Sequence, residues 1–275
     1  MVGFKPWVVV IAASIVGCEI GEGPVVEPPV SWIVTMYDEF DGAEGTSPDP
    51  AMWTFDVGGD GWGNNQLEFD TDRTENVSHD GNGNLRIVAR EEDYMGRAYT
   101  SGRIKSKGLV EQKYGRFEAR IKLPPGQGIW PAFWMLGANF PETDWPRAGE
   151  IDIMEFRGQE PRVVHGTLHG PGYSGGSPIT SKFALPEDES FTDDFHIFAV
   201  EWDPGRIAFL VDDVVYQVVT TPEVQARGDW VFDHPFFLLL NVAVGGSFVG
   251  PVGSDTVFPA EMLVDYVRVF ERAPR

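Results

Sequence analysis

The chain has 275 residues, with 42 acidic against 21 basic side chains and a formal charge of −21. That balance argues against a nucleic-acid partner, because phosphate backbones call for a basic surface, and a single cysteine excludes any intramolecular disulfide. The 42% hydrophobic share is enough for a core. The 9 Trp, 19 Phe, 32 Gly and 21 Pro fit short strands joined by turns and a site for something flat and partly apolar. An uncharged polymer meets no repulsion from such a surface.

In chain order, residues 1–17 (MVGFKPWVVVIAASIVG) start weakly positive at Lys5 and continue into an apolar run, Trp7 to Val16, too short for a stable membrane span. Ile15-Val16-Gly17-Cys18 has the form of a bacterial lipobox. The expectation is a leader removed after Gly17 and a lipidated Cys18 as the new terminus. The protein would then be exported to the cell envelope or cell surface and meet the membrane only through Cys18. Residues 18–31 include the Pro-, Gly- and Glu-rich stretch EIGEGPVVEPPV, which lacks hydrophobic periodicity and reads as a tether. A single domain is expected over 32–275, acting as a monomer.

Strand signals dominate that domain. In 116–123 (RFEARIKL), Phe117, Ala119, Ile121 and Leu123 alternate with Arg116, Glu118, Arg120 and Lys122, a period of two. Similar runs lie at 84–90, 195–202, 206–212, 235–244 and 263–270, bounded by Gly, Pro, Asn and Asp. Only 221–227 offers a short helical turn. The pattern predicts an all-β fold, a sandwich or jelly roll of antiparallel strands, curved enough for one concave face to hold a polymer.

The segment that carries chemistry is Gly149-Glu150-Ile151-Asp152-Ile153-Met154-Glu155-Phe156. On a strand, Glu150 and Asp152 share one face and Ile151 and Ile153 the other. Simple parity puts Glu155 on the wrong face. One extra residue, a β-bulge with Met154 as the insertion, returns it to the face of the other two, and bulges re-aim side chains in this way near active sites. Three carboxyl groups on one face repel, so the group is expected to retain a proton at neutral pH. Glycoside hydrolysis needs that combination, a carboxylate to attack and a carboxylic acid to donate. The assignment is Glu150 as nucleophile, Glu155 as acid/base, and Asp152 between them orienting Glu150. An acidic surface strand or a calcium cluster are the competing readings; the bulky apolar residues between the acids and the lack of a Gly-turned loop disfavour both.

GEIDIMEF resembles the signature of family 16 glycoside hydrolases in its bulged, laminarinase-like form. The resemblance extends through DEFDG (38–42), WGNNQLEF (62–69), TSGRIKSKG (100–108), YGRFEARIKLP (114–124), WPAFWML (130–136), HGTLHG (165–170), EWDPGRI (201–207) and NVAVGG (241–246). It implies a concanavalin-like β-jelly-roll sandwich of two antiparallel sheets, retaining endo-hydrolysis of β-1,3-glucan, and no cofactor for catalysis. Two departures stand out. Gln66-Leu67-Glu68 replaces the more usual Glu-Leu-Gln, and Phe248 stands where Trp is common after Gly-Gly. The same chemistry on mixed-linkage glucan or a galactan therefore stays open, as does a non-catalytic glucan-binding protein, although such relatives typically lose one or both Glu residues.

Substrate contacts are expected around the acids. Trp130 and Trp134 share a face by parity, and residues four apart on a strand are separated by roughly 13 Å, suited to stacking on successive sugars. Asn64, in a loop after Gly-Trp-Gly, offers an amide that both donates and accepts. His169 is expected to touch the acid/base or the leaving-group sugar. Trp62, Arg103 and Asn241 complete the set. The resemblance also implies a structural calcium ion away from the acids, at Glu39 and Gly83 through backbone carbonyls and at the Asp265 carboxylate.

Overall fold

A computed structural model describes residues 8–10 and 31–274. The remaining leader positions, Cys18 and most of the tether lie outside the described residues. The strands in chain order are β1 (Val8–Val10), β2 (Ser31–Asp38), β3 (Thr54–Phe55), β4 (Glu68–Asp70), β5 (Val77–His79), β6 (Leu85–Tyr94), β7 (Arg97–Ser101), β8 (Arg103–Lys105), β9 (Glu111–Gln112) and β10 (Gly115–Lys122). They continue with β11 (Ile129–Gly137), β12 (Glu150–Phe156), β13 (Val163–His169), β14 (Ile179–Ala184), β15 (His196–Asp203), β16 (Arg206–Val211), β17 (Val214–Thr220), β18 (Phe236–Val244) and β19 (Ala260–Arg272). The helical turn falls at α1 (Thr221–Gln225), where the Glu223 carboxylate accepts the Thr220 backbone N–H at 2.7 Å. No helix among the described residues is long and apolar enough to cross a membrane.

Two sheets form a sandwich. One has eleven strands, running β17-β16-β15-β10-β19-β6-β7-β4 with β2, β1 and β5 joined at its side; the other has eight, running β14-β13-β12-β11-β18-β8-β3 with β9 on β18. Pairing is antiparallel except between β4 and β7. The all-β jelly-roll reading therefore holds. Strand β1, which pairs with β2, falls inside the expected leader.

The core lies between the sheets, and the alternation seen in the sequence builds it. Phe117, Ala119 and Ile121 of β10 face Ile151, Ile153, Met154 and Phe156 of β12 and the even-numbered residues of β18. Each large side chain buried this way is worth about 1.5–3 kcal/mol. Part of the polar half of the β10 pattern is nevertheless buried, at Arg116 and Glu118. Arg116 is 1% exposed, and its guanidinium is neutralised by Glu118, Glu201 and Asp213 at 2.7, 3.1 and 2.7 Å. The β18 run is buried on both faces, which explains why PFFLLLNVAV shows no clean alternation.

The irregularity on which the acids depend is present. Against β11, Phe133 pairs with Met154 and Trp134 with Asp152, leaving Ile153 without a partner. Against β13, Asp152 pairs with Thr167 and Glu155 with His165, so Ile153 and Met154 together face Gly166. The expected insertion at Met154 is thus spread over two residues, and both point into the core. Gly166 is required opposite them. A Cβ there would lie 2.3 Å from the Tyr216 hydroxyl and 2.7 Å from the Phe209 ring of the other sheet.

Candidate active site

Glu150, Asp152 and Glu155 emerge on the open face of the eight-stranded sheet. Their partners Leu136, Trp134 and Ala132 alternate on β11, and His169, Thr167 and His165 alternate on β13. All three acids therefore point to one side. Apolar patches flank them: Leu136, Phe237 and Leu239 on one side, Trp130, Ala243 and Val249 on the other.

The three carboxyl groups have different surroundings. Burial pushes the Glu150 carboxyl up, and three groups oppose the rise: the Trp145 indole N–H, which donates to Oε2 at 2.9 Å, the Arg103 cation and a hydrogen bond with Asp152. Asp152 is 4% exposed. Burial and the charges of Glu150 and Glu155 hold its carboxyl well above the usual range, with no donor offsetting them. The proton therefore resides on Asp152, which donates to the Glu150 carboxylate. Burial and then the Glu150 charge push Glu155 up to about 7, moderated by the Thr167 hydroxyl at 3.1 Å and the facing Trp130 indole N–H. Thr167 is itself 3.0 Å from Thr180.

His169 sits elsewhere than expected. Its Nε2 is 3.4 Å from Asp152 and 3.7 Å from Glu150, at the far end of the trio from Glu155, because the antiparallel register sets Glu150 opposite His169. The imidazole opposite Glu155 is His165. Burial brings both rings down to about 4, so both are neutral at physiological pH.

The Trp pair is held by protein neighbours. Arg103 is sandwiched between Trp62 and Trp134, 4.5 and 4.8 Å from their ring centres. Trp134 donates to the Asn241 side chain at 2.8 Å. One face of Trp134 is thus taken, and Trp130 is 8% exposed beneath Phe248, 5.0 Å away. Asn64 is exposed, and its carbonyl accepts the Ser247 N–H at 2.8 Å, which pins its loop to the turn after β18. The open indole is Trp145, 44% exposed, beside Glu150 and 5.9 Å from the His169 ring. The sequence reading missed it. A Trp in the polar, Pro-containing stretch PETDWPRAG, five residues before the first acid, is the signal that could have found it.

Of the three positions assigned to calcium, Glu39 is in a bidentate pair with Arg268 at 2.8 Å, and Asp265 is bonded to Arg120 at 2.7 Å. The Glu39 pair leaves its backbone carbonyl, the atom assigned, unengaged by a side chain, and a cation at Asp265 would have to share that carboxylate with Arg120.

A β-sandwich presenting three carboxyls from one bulged strand, with indoles and amides around them, defines a carbohydrate hydrolase. The chain belongs to family 16 of the glycosyl hydrolases, whose pattern it matches over residues 63–266. It is 42% identical over 270 residues to the beta-glucanase of Rhodothermus marinus, covering 94% of this chain and 92% of that protein. The X-ray structure of an endo-beta-1,3-glucanase from Pyrococcus furiosus has a TM-score of 0.84 at 47% identity, covering 90% of this chain and 97% of that one. The laminarinase catalytic domain of Thermotoga maritima MSB8 has a TM-score of 0.83 at 47% identity, covering 88% of this chain and 99% of that one. Family 16 hydrolases need no cofactor for catalysis.

Proposed function

We propose that the chain is an endo-acting, retaining β-1,3-glucanase in which Glu150 is the nucleophile and Glu155 the acid/base. The observation that carries this is the bulge at Ile153-Met154, which brings Glu155 onto the face of Glu150 and Asp152. Protonated Glu155 gives its proton to the glycosidic oxygen as the bond to the anomeric carbon breaks. The Glu150 carboxylate, held by the Trp145 N–H and the Asp152 proton, bonds to that carbon from the opposite side. Esterification removes the Glu150 charge, which was raising the Glu155 pKa, so Glu155 becomes the stronger acid and stays ionised. It then takes a proton from water, whose oxygen displaces Glu150, and two inversions give net retention.

The names of the relatives support β-1,3-linked glucose as substrate. A second reading, the same chemistry on mixed-linkage glucan or a galactan, draws on the departures at Gln66–Glu68 and Phe248. Incubation with laminarin, curdlan, lichenan and agarose, with product sizing and anomer detection by NMR, separates them. The expected result is short β-1,3 oligosaccharides first released as the β-anomer; initial release of the α-anomer removes the nucleophile role.

Donor atoms of Glu150, Asp152 and His169 lie within 4.8 Å of one another, a set suited to a divalent cation, which would compete with the sugar for Glu150. Export rests on the leader sequence 1–17 and lipid anchoring on Ile15–Cys18; labelled palmitate that enters the protein without Cys18 would remove the anchoring and leave an ordinary signal peptide.

A further inference from the structure

Beneath the turn at Gly61–Asn65 lie two carboxyl groups that the chemistry above does not use. Glu68 and Asp70 are each 1% exposed. They share one side of β4, which is pinned in parallel register to β7 through Glu68–Tyr99 and Asp70–Ser101. Glu68 Oε2 accepts the Val244 N–H at 2.8 Å, at the end of β18. Asp70 Oδ1 is buried without a partner, and the Trp62 indole N–H that faces it is buried without one as well. The cation that both carboxyls feel is Arg103, the guanidinium held between Trp62 and Trp134. The other groups around that cation are Asp56, 3.0 Å from Arg103 Nε and shared with Lys105, and Glu150, which also feels it. From β7, Arg97 reaches the Gly59 carbonyl.

Two carboxyls held this close away from water do not both ionise readily. Burial pushes Glu68 up to about 7, and burial together with the Glu68 charge holds Asp70 well above its usual range. Near neutral pH the pair therefore keeps at least one proton, opposite one guanidinium. The turn above needs such support. Trp62 has φ 49°, between Gly61 at 87° and Gly63 at 77°, a conformation that a bulky residue keeps only where the surroundings hold it.

We infer that Glu68 and Asp70 are a positioning pair for substrate binding: their shared charge fixes Arg103 between Trp62 and Trp134 and, through that stack, fixes the Gly61–Asn65 turn at the edge of the open face. Glu68 lies in the Gln66-Leu67-Glu68 segment, where this sequence departs from the more usual laminarinase-like pattern. The inference rests on the glucanase reading for its kinetic readout and on geometry alone for its spectroscopic one. As pH falls a second proton enters the pair, its charge disappears, and Arg103 is left to Asp56. The substrate-facing stack loosens and KM rises, while the trio that sets kcat feels Arg103 only at a distance.

The test compares the full chain with Glu68→Gln, Asp70→Asn and the double variant on laminarin between about pH 5 and 8. Each single variant retains one carboxyl, free of a like charge. Glu68→Gln frees Asp70 of the Glu68 charge, so its KM step should move to lower pH, whereas in Asp70→Asn burial still raises Glu68 and the step should stay where it is. The double variant should show KM raised about tenfold with kcat changed less than about twofold, the signature of lost uniform binding, and its KM should no longer step with pH. Tryptophan emission of the unsubstituted chain should change with pH in this range, and the part due to Trp62 and Trp134 should vanish in the double variant. KM flat with pH in the unsubstituted chain overturns the inference even if the variants fail to fold. So do folded variants that melt lower with KM unchanged, which would make the pair structural only. If no glucan is turned over at all, the glucanase reading fails, and the emission difference then decides the positioning role by itself.

Discussion

On the outer side of β10, three carboxylates surround one buried guanidinium; on the open face of β12, three carboxyls stand together with no cation in ion-pair contact. Arg116 meets Glu118, Glu201 and Asp213 within 3.1 Å, and those acids keep the guanidinium firmly charged against burial. Around Glu150, Asp152 and Glu155 the cations that help, Arg103 for Glu150 and Arg157 for Glu155, are not in ion-pair contact, and a neutral imidazole takes the place a cation would hold. Both clusters have the same number of carboxyl groups. In the first a fixed positive charge balances them, so nothing need titrate. In the second only protons can do so, and the trio titrates near neutrality. A cluster balanced by an arginine is built to stay as it is, whereas one balanced by protons can give and receive them.

Removing members of the proton-balanced cluster should have the largest effect. Glu150→Gln and Glu155→Gln should each lower kcat by about a thousandfold or more on laminarin, since each removes a group on which bond making or breaking depends. Glucan binding, measured by affinity electrophoresis, should persist in both. Unchanged turnover in either variant would make the comparison above meaningless for catalysis. The contrasting substitution is Arg116→Ala. It leaves Glu118, nearly buried, without its counter-ion, and should cost about 3–5 kcal/mol of stability by denaturant unfolding. At temperatures where that variant is folded its kcat should match the unsubstituted chain, because β10 belongs to the other sheet. A fall in kcat at full folding would show that the two clusters are not independent.

How far the sequence reaches differs in the same way between the two regions. The period-two pattern locates β6, β10, β15, β16 and β19, because those strands face a core and their apolar positions alternate, while β18, buried on both faces, is legible as a continuous apolar run. It misses β14 and β17 at the sheet edges, where burial imposes less pattern. The need for a bulge is legible from parity alone: an acid at position 155 cannot otherwise join those at 150 and 152. Its spread over Ile153 and Met154 is not, since that depends on Gly166 across the strand and on Tyr216 and Phe209 below it. His169 shows the limit most plainly. Its closeness to the acids follows from strand order, but which acid it meets depends on register, and a shift of a few residues would have put it against Glu155. Arg116 and Arg103 look alike in sequence, each one charged residue in a strand; only the packed neighbours show that carboxylates enclose the first and indoles the second.

The smallest effect should come from Trp145→Phe, and it tests whether Glu150 is tuned by its neighbours. The indole N–H donates to Glu150 Oε2 at 2.9 Å and pulls the Glu150 pKa down against burial. Phenylalanine keeps most of the ring area but has no donor. Without it the Glu150 anion is less stable and its pKa moves further above the ordinary carboxylate range. Attack requires ionised Glu150, so activity is present above this pKa and lost as pH falls through it. The acid limb of the kcat/KM profile should therefore shift to higher pH in the variant, with kcat/KM at pH 7 down about tenfold, the equivalent of one pKa unit. Asp152 still donates its proton to Glu150, which is why the loss stays far below that of the glutamate substitutions. An acid limb that does not move would assign Trp145 to sugar stacking alone and leave Asp152 as the group that keeps Glu150 ionised.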